Sequence, residues 1–185
     1  MSFTKSSAKR ILVALLLVLS ILCTASCGGS YTQSLTTEEL SYKLPTYLKQ
    51  FPLNGIDAAY KNTNDTVFVF VIVFDQSELA SDGLASDVTV EEYASHFISK
   101  NGFDEEGMEL DLEYNNDKTR VSFDVVIGSD PNDEEATEDS EFQYYYYTFV
   151  RGTDSVYMVQ MFCAEADATR YVGLFKEWSA SMRAS

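Results

Sequence analysis

The chain is poor in the residues on which most catalytic and nucleic-acid sites are built. It has one histidine, three cysteines and three prolines, and its 13 basic residues face 29 acidic ones. A Ser-His-Asp or Cys-His nucleophile could be assembled only around His96, because general-base catalysis of that kind needs a positioned imidazole. His96 falls opposite Tyr93 and Phe97 on a helical projection, in line with Glu92 and Lys100, and reads as an exposed surface histidine. Three cysteines cannot supply a multi-cysteine metal cluster, and the glycine motifs that cradle phosphates are missing. The shortage of Lys and Arg excludes nucleic acid, whose affinity comes largely from neutralised phosphates, and makes anionic lipid headgroups poor partners. The most apolar run, residues 11–22, would rise only about 18 Å as a helix, against a hydrocarbon core of about 30 Å. It is too short for a lasting membrane span.

What is present organises the chain from its start. Lys5, Lys9 and Arg10 precede that run, and Thr24-Ala25-Ser26-Cys27-Gly28-Gly29 follows it: a basic start, an apolar segment and small residues, the pattern of an export signal. Ala25, Ser26 and Cys27 resemble the lipobox of bacterial lipoproteins, in which a peptidase cuts before a cysteine whose thiol carries a diacylglycerol. Thr24 departs from that pattern, where an aliphatic residue is usual. The rival Cys23 would follow Leu22, too bulky for the small site before the cut. The resemblance implies a signal peptide over 1–26, lipidation of Cys27, and a cell-envelope protein held on the extracytoplasmic side of a membrane by its acyl chains. Loss of residues 1–26 leaves ten basic residues against 29 acidic, a formal charge of −19. Such a charge favours a monomer. Cys163 then remains as the only free thiol, so no intrachain disulfide forms and packing must hold the fold.

Residues 27–37 are small and polar and read as a flexible lipidated tether, leaving 38–185 as a single domain of a size that buries a full core. Short strands are expected near 40–44 and 56–61. Val67–Phe74 is eight consecutive branched or aromatic residues and predicts a strand buried on both faces, which needs a layer on each side of its sheet. Residues 76–88 read as a polar loop. Thr89 and Glu92 make a capping-box pattern, and Val90, Tyr93, Ala94, Phe97 and Ile98 form one helical stripe ending at Asn101-Gly102. Residues 108–114 and 119–127 alternate as strands; a two-residue Asn116-Asp117 turn would pair Glu113 with Arg120, Leu112 with Val121 and Leu110 with Phe123. A second hairpin joins 142–150 to 155–163 around Gly152-Thr153. Ala168, Tyr171, Val172, Phe175, Trp178 and Met182 trace the apolar stripe of a last helix.

The expected class is therefore α+β, with an antiparallel sheet of about six to seven strands flanked by two main helices. Tyr157-Met158-Val159-Gln160-Met161-Phe162-Cys163, leading into a helix with Tyr171, Leu174, Phe175 and Trp178, resembles the PsbP-like fold. That three-layer sandwich is shared by the lumenal PsbP proteins of photosystems and the Ran-binding Mog proteins. With the Thr89 helix the resemblance covers roughly residues 40–180. It implies an accessory or binding protein, and no functional residue carries over from it.

Two stretches stand out as candidate sites. Tyr144–Tyr147 places Tyr145 and Tyr147 on one face of a strand, as a tyrosine platform for a ligand or another envelope protein. The competing reading is a central strand covered on both sides. In residues 128–141, Asp130, Asn132, Glu134, Glu138 and Glu141 occupy EF-hand positions 1, 3, 5, 9 and 12, but Glu135 stands where the loop needs glycine. A solvated charge run is the expected reading, with weak calcium binding the most it would support, and no cofactor is expected. Cys163 alternates with Met161 and Val159 as an inert core thiol. The reading is a membrane-anchored binding or accessory module; the alternative is an envelope hydrolase using paired carboxylates.

Overall fold

The structure, a computed structural model, describes residues 32–104, 110–128 and 142–185. Thr32–Ser185 is one compact unit, and both of its hydrophobic clusters are built from its own residues. It therefore has the packing to fold without residues 1–31.

Seven strands make the main antiparallel sheet: β3 (Lys49–Phe51), β4 (Ala58–Lys61), β5 (Val67–Phe74), β6 (Glu113–Tyr114), β7 (Arg120–Ile127), β8 (Gln143–Arg151) and β9 (Val156–Ala164). Their spatial order is β3-β4-β5-β9-β8-β7-β6. The long apolar strands β5, β9 and β8 are central, each with a paired strand on both sides. A smaller sheet joins β1 (Thr32–Thr37), β2 (Leu40–Pro45) and β10 (Arg183–Ala184) in the order β1-β2-β10. Among the described residues three α-helices accompany these sheets: α1 (Gln76–Ser81), α2 (Val90–Lys100) and α3 (Ala168–Ala180).

The two faces of the main sheet carry separate cores. On one, Val67, Val69 and Val71 of β5, Met161 and Cys163 of β9, and Tyr144 and Tyr146 of β8 pack against Leu40, Tyr42 and Leu44 of β2 and Tyr171, Phe175 and Trp178 of α3. Buried hydroxyls pin α3 there: Ser122, Thr148 and Ser179 lie 2.9 to 3.1 Å from one another, and Arg120 donates to the Ser179 carbonyl at 2.9 Å. On the other face, Val90, Tyr93 and Ala94 of α2 cover Phe123, Tyr147 and Phe149. The α2 capping box is present, with the Thr89 amide donating to Glu92 at 2.9 Å and the Glu92 amide to Thr89 at 3.2 Å. The expected α+β class and layering hold.

Four local expectations are corrected. Residues 32–37, assigned to the tether, are strand β1, paired along its whole length with β2 from Thr32↔Pro45 to Thr37↔Leu40, so the domain begins before residue 38. Residues 76–81 form α1 rather than loop, because Asp75 and Glu78 make a second capping box. The 113–122 hairpin pairs Glu113 with Ser122 and Tyr114 with Val121, two residues from the expected register. Asn115 closes the longer loop by donating its amide to the Arg120 carbonyl at 3.1 Å, and Lys118 takes a left-handed φ of 56°. A shift of two preserves the side-chain faces, so Leu110 and Leu112 still pack on the α2 core. Finally, β5 is buried on one face and only half-buried on the other.

Candidate binding face

That half-buried face begins with a register. Phe68 of β5 pairs with Phe162 of β9, which pairs with Tyr145 of β8. In the next row Phe51 of β3 pairs with Ala59, Ala59 with Phe70, and Phe70 with Gln160. Residues in one cross-strand row share a face, so Phe51, Phe68, Phe70, Phe162 and Tyr145 form one aromatic field on the α2 side of the sheet. Phe68 stacks on Phe162 with centroids 5.0 Å apart, Phe70 meets Phe162 edge-on at 5.1 Å, and Tyr145 lies 5.2 Å from Phe162. Phe51 closes the field against Phe70 at 6.4 Å, with the Lys61 ammonium 5.3 Å from its ring. All five rings stay half-buried, whereas the rows' far end lies under α2.

The two platform tyrosines are thus separated by depth. Tyr145 belongs to the half-buried field, and burial raises its phenol above the usual value. Tyr147 is 4 % exposed and sits beneath Phe97 of α2, ring centroids 5.1 Å apart, with burial raising its phenol further. Sequence reasoning missed Phe51, Phe68, Phe70 and Phe162 as surface-forming residues. Cys27 and the loop residues Asp130, Asn132, Glu134, Glu138 and Glu141 lie outside the described residues.

Beside the field, at the opposite end of β4 and β5 from Lys61 and Val67, the surface becomes concave and acidic. A cleft of about 700 Å³ is lined by Glu38, Glu39, Asp57, Asp75, Glu78 and Asp154 around Ile56, Ile72 and Tyr157. None of these six carboxylates is ion-paired among the described residues; the pairs there lie elsewhere, as at Lys61–Asp65 and Lys100–Asp82. Asp75 is held below the usual carboxylate range by the amide of Glu78 and the hydroxyl of Ser77. A neighbouring groove of about 490 Å³ carries Phe51, Leu53, Ile56 and Asp57, so it shares residues with both the field and the cleft.

The remaining candidates behave differently. His96 is not the fully exposed histidine expected: its side chain is 30 % exposed, and Nε2 is enclosed without a hydrogen-bond partner, 3.9 Å from Asp82. It borders a cavity of about 190 Å³ with Phe74, Tyr93 and Phe97. Cys163 is 2 % exposed and burial pushes its thiol up to about 11, which suits an inert core residue. Among the described residues no group of three or more His, Cys, Asp or Glu side chains is placed to hold a metal ion.

No family model matches the chain and no curated protein matches it. Solved structures do. The chain is similar to cyanobacterial PsbP (CyanoP) from Synechocystis, with 12% identity and a TM-score of 0.55 over 86% of this chain and 98% of that one. It is also similar to the Ran-binding protein Mog1p of Saccharomyces cerevisiae, with 8% identity and a TM-score of 0.52 over 84% of this chain and 96% of that one. At these identities the likeness concerns the fold, and with the sheet and helices described above it makes Thr32–Ser185 a domain of PsbP-like, Mog1-like architecture.

Proposed function

We propose that the protein is a lipoprotein of the cell envelope, anchored through an acylated Cys27, and that its domain is a binding or accessory module for another envelope protein. The observation that carries the binding role is the aromatic field of Phe51, Phe68, Phe70, Tyr145 and Phe162, half-buried beside a helix that covers the rest of its face. Clustered large aromatics supply contact area with few rotors to freeze, and contiguous apolar surface on a soluble unit marks an interaction site. Among the described residues no helix is long and apolar enough to cross a membrane, so attachment in this reading rests on lipid. Two acyl chains, at about 0.8 kcal/mol per buried CH₂, hold far more firmly than the marginal grip of one. Only residues 28–31 separate Cys27 from β1, a reach of at most about 18 Å. The anchor would keep the domain close to the bilayer. The Ran-binding protein Mog1p offers a precedent for binding on this scaffold.

The test uses the full chain in its own cells. Metabolic fatty-acid labelling should mark the wild type and fail for Cys27→Ala, which accumulates as unprocessed precursor. A photoreactive residue at Phe162 should give a discrete protein adduct that one at Ser95, on exposed α2 surface, does not. Labelling that survives Cys27→Ala refutes the anchor; identical adduct patterns at both positions refute the binding face.

A further inference from the structure

We propose that the partner docks through a basic segment with apolar residues along one side, its apolar residues on the aromatic field and its Lys or Arg side chains in the adjoining acidic cleft. The proposal rests on the binding role given above and adds the chemical class of what is bound. Three observations carry it. The field and the cleft adjoin around the end of the sheet, because the groove between them shares Phe51 with the first and Ile56 and Asp57 with the second, while Glu38, Glu39 and Tyr157 line the cleft from the side that α3 and the small sheet cover. The cleft brings six carboxylates around one concavity with no cation paired to any of them among the described residues. Among the described residues those carboxylates accept only neutral donors, such as the Val73 amide on Asp57 at 2.8 Å and the Gln76 side-chain amide on Asp154 at 2.9 Å, so no cation there neutralises them. An apolar surface alone would accept many partners. Negative charge fixed along one border selects those whose positive charge lies beside their apolar residues, and it rejects acidic ones.

The dimensions set the ligand's size. From Phe68 to Asp75 the strand advances about 23 Å at 3.3 Å per residue. A helix covers that length in about 16 residues and an extended segment in about seven. The negative charge of the cleft should also raise the association rate of cationic segments at low salt, with the gain fading as ionic strength increases.

The experiment uses residues 30–185, which include the whole compact unit. The probes are three synthetic peptides of about 16 residues: leucine with lysine in amphipathic order, leucine with serine, and serine with lysine. Binding is followed by amide chemical shifts and by calorimetry. The leucine–lysine peptide should move the amides of residues 51–59, 68–73 and 154–157, and the other two should bind at least about tenfold more weakly. Glu38→Gln with Glu39→Gln and Asp57→Asn should weaken the leucine–lysine peptide about tenfold, while Glu91→Gln with Glu165→Gln and Glu177→Gln should change it less than about twofold. Phe70→Ser should abolish binding; if that variant unfolds, the shifts seen in the unaltered chain still locate the site. Equal losses from the two charge sets would mean diffuse attraction to an acidic surface, and would overturn the proposal. Equal binding of the leucine–serine peptide at the same amides would remove the cationic class while leaving the binding face intact. No shift at the field with any peptide would remove both.

Discussion

Raising the pH should unfold this domain steeply, because its cores are tiled with phenols that cannot ionise in place. Tyr42, Tyr93, Tyr144, Tyr146 and Tyr147 are each 5 % exposed or less. Burial is the first cause that raises all five; a proton donated to Asp124 adds to it for Tyr144, and the charge of Glu113 for Tyr146, which reaches about 12. The folded value lies above the unfolded value of about 10 in every case, so the stability these groups lend is complete below pH 10 and is lost as pH rises toward the folded values. Each phenol that ionises only after unfolding tilts the balance by about 1.4 kcal/mol per pH unit, and five together by about 7 kcal/mol per unit. Against a typical domain stability of about 5–15 kcal/mol, unfolding should centre at about pH 11 to 12. Absorbance at 295 nm reports tyrosinate while far-ultraviolet circular dichroism reports the fold. The five phenols should titrate together with the loss of structure, and Tyr147→Phe should lift the midpoint by about 0.4 unit. Smooth titration of all the tyrosines near pH 10 with the dichroism intact would refute the argument, since it would mean these phenols reach water in the folded state.

Two further perturbations test the packing and the acidic loop. Phe175 is fully buried between Tyr144, Tyr171 and Trp178, so Phe175→Ala should cost about 3–5 kcal/mol and lower Tm by about 6–20 °C, whereas Phe162→Ala in the half-buried field should cost about 1 kcal/mol in the same melts. For the seven carboxylates of residues 130–141, calcium and magnesium should raise Tm alike, and sodium chloride of matched ionic strength should reproduce the effect by screening. A shift with calcium alone, abolished by Asp130→Asn with Glu141→Gln, would make that loop a calcium site.

How far the fold could be read from the residues depended on whether the determining interaction was local. The α2 helix was legible because Thr89 and Glu92 cap it and its apolar stripe repeats at helical spacing; both features act within one turn. Strand β9 and helix α3 were legible for the same reason. Strand β1 was not, since Thr-Gln-Ser-Leu-Thr-Thr offers one apolar residue and its burial alternates only between exposed and half-buried. It exists because β2, whose Leu40, Tyr42 and Leu44 are core residues, presents a free edge of backbone donors and acceptors to it. The hairpin register failed on Lys118: a left-handed residue is unfavourable without glycine, and only the bonds closed by Asn115 and Arg120 make the longer loop the better one.

The aromatic field was missed although simple lengths contained it. Eight apolar residues in Val67–Phe74 were taken to need cover on both faces of a sheet flanked by two main helices. An 11-residue helix is about 16 Å long and about 10 Å wide. Seven strands at about 4.8 Å spacing make a sheet some 29 Å across. One such helix cannot roof that face, and α2 settles over β7 and β8, where Tyr147, Phe149 and Phe123 receive Tyr93 and Phe97. Phe68, Phe70 and Phe162 lie on the strands left over. The other face carries Val67, Val69 and Val71 on the same strand and has two covers, α3 and the β1-β2-β10 sheet, and there the burial is complete. An apolar strand whose two faces have unequal roofs leaves its surplus aromatics at the surface. In this chain that surplus is the feature most in need of a partner.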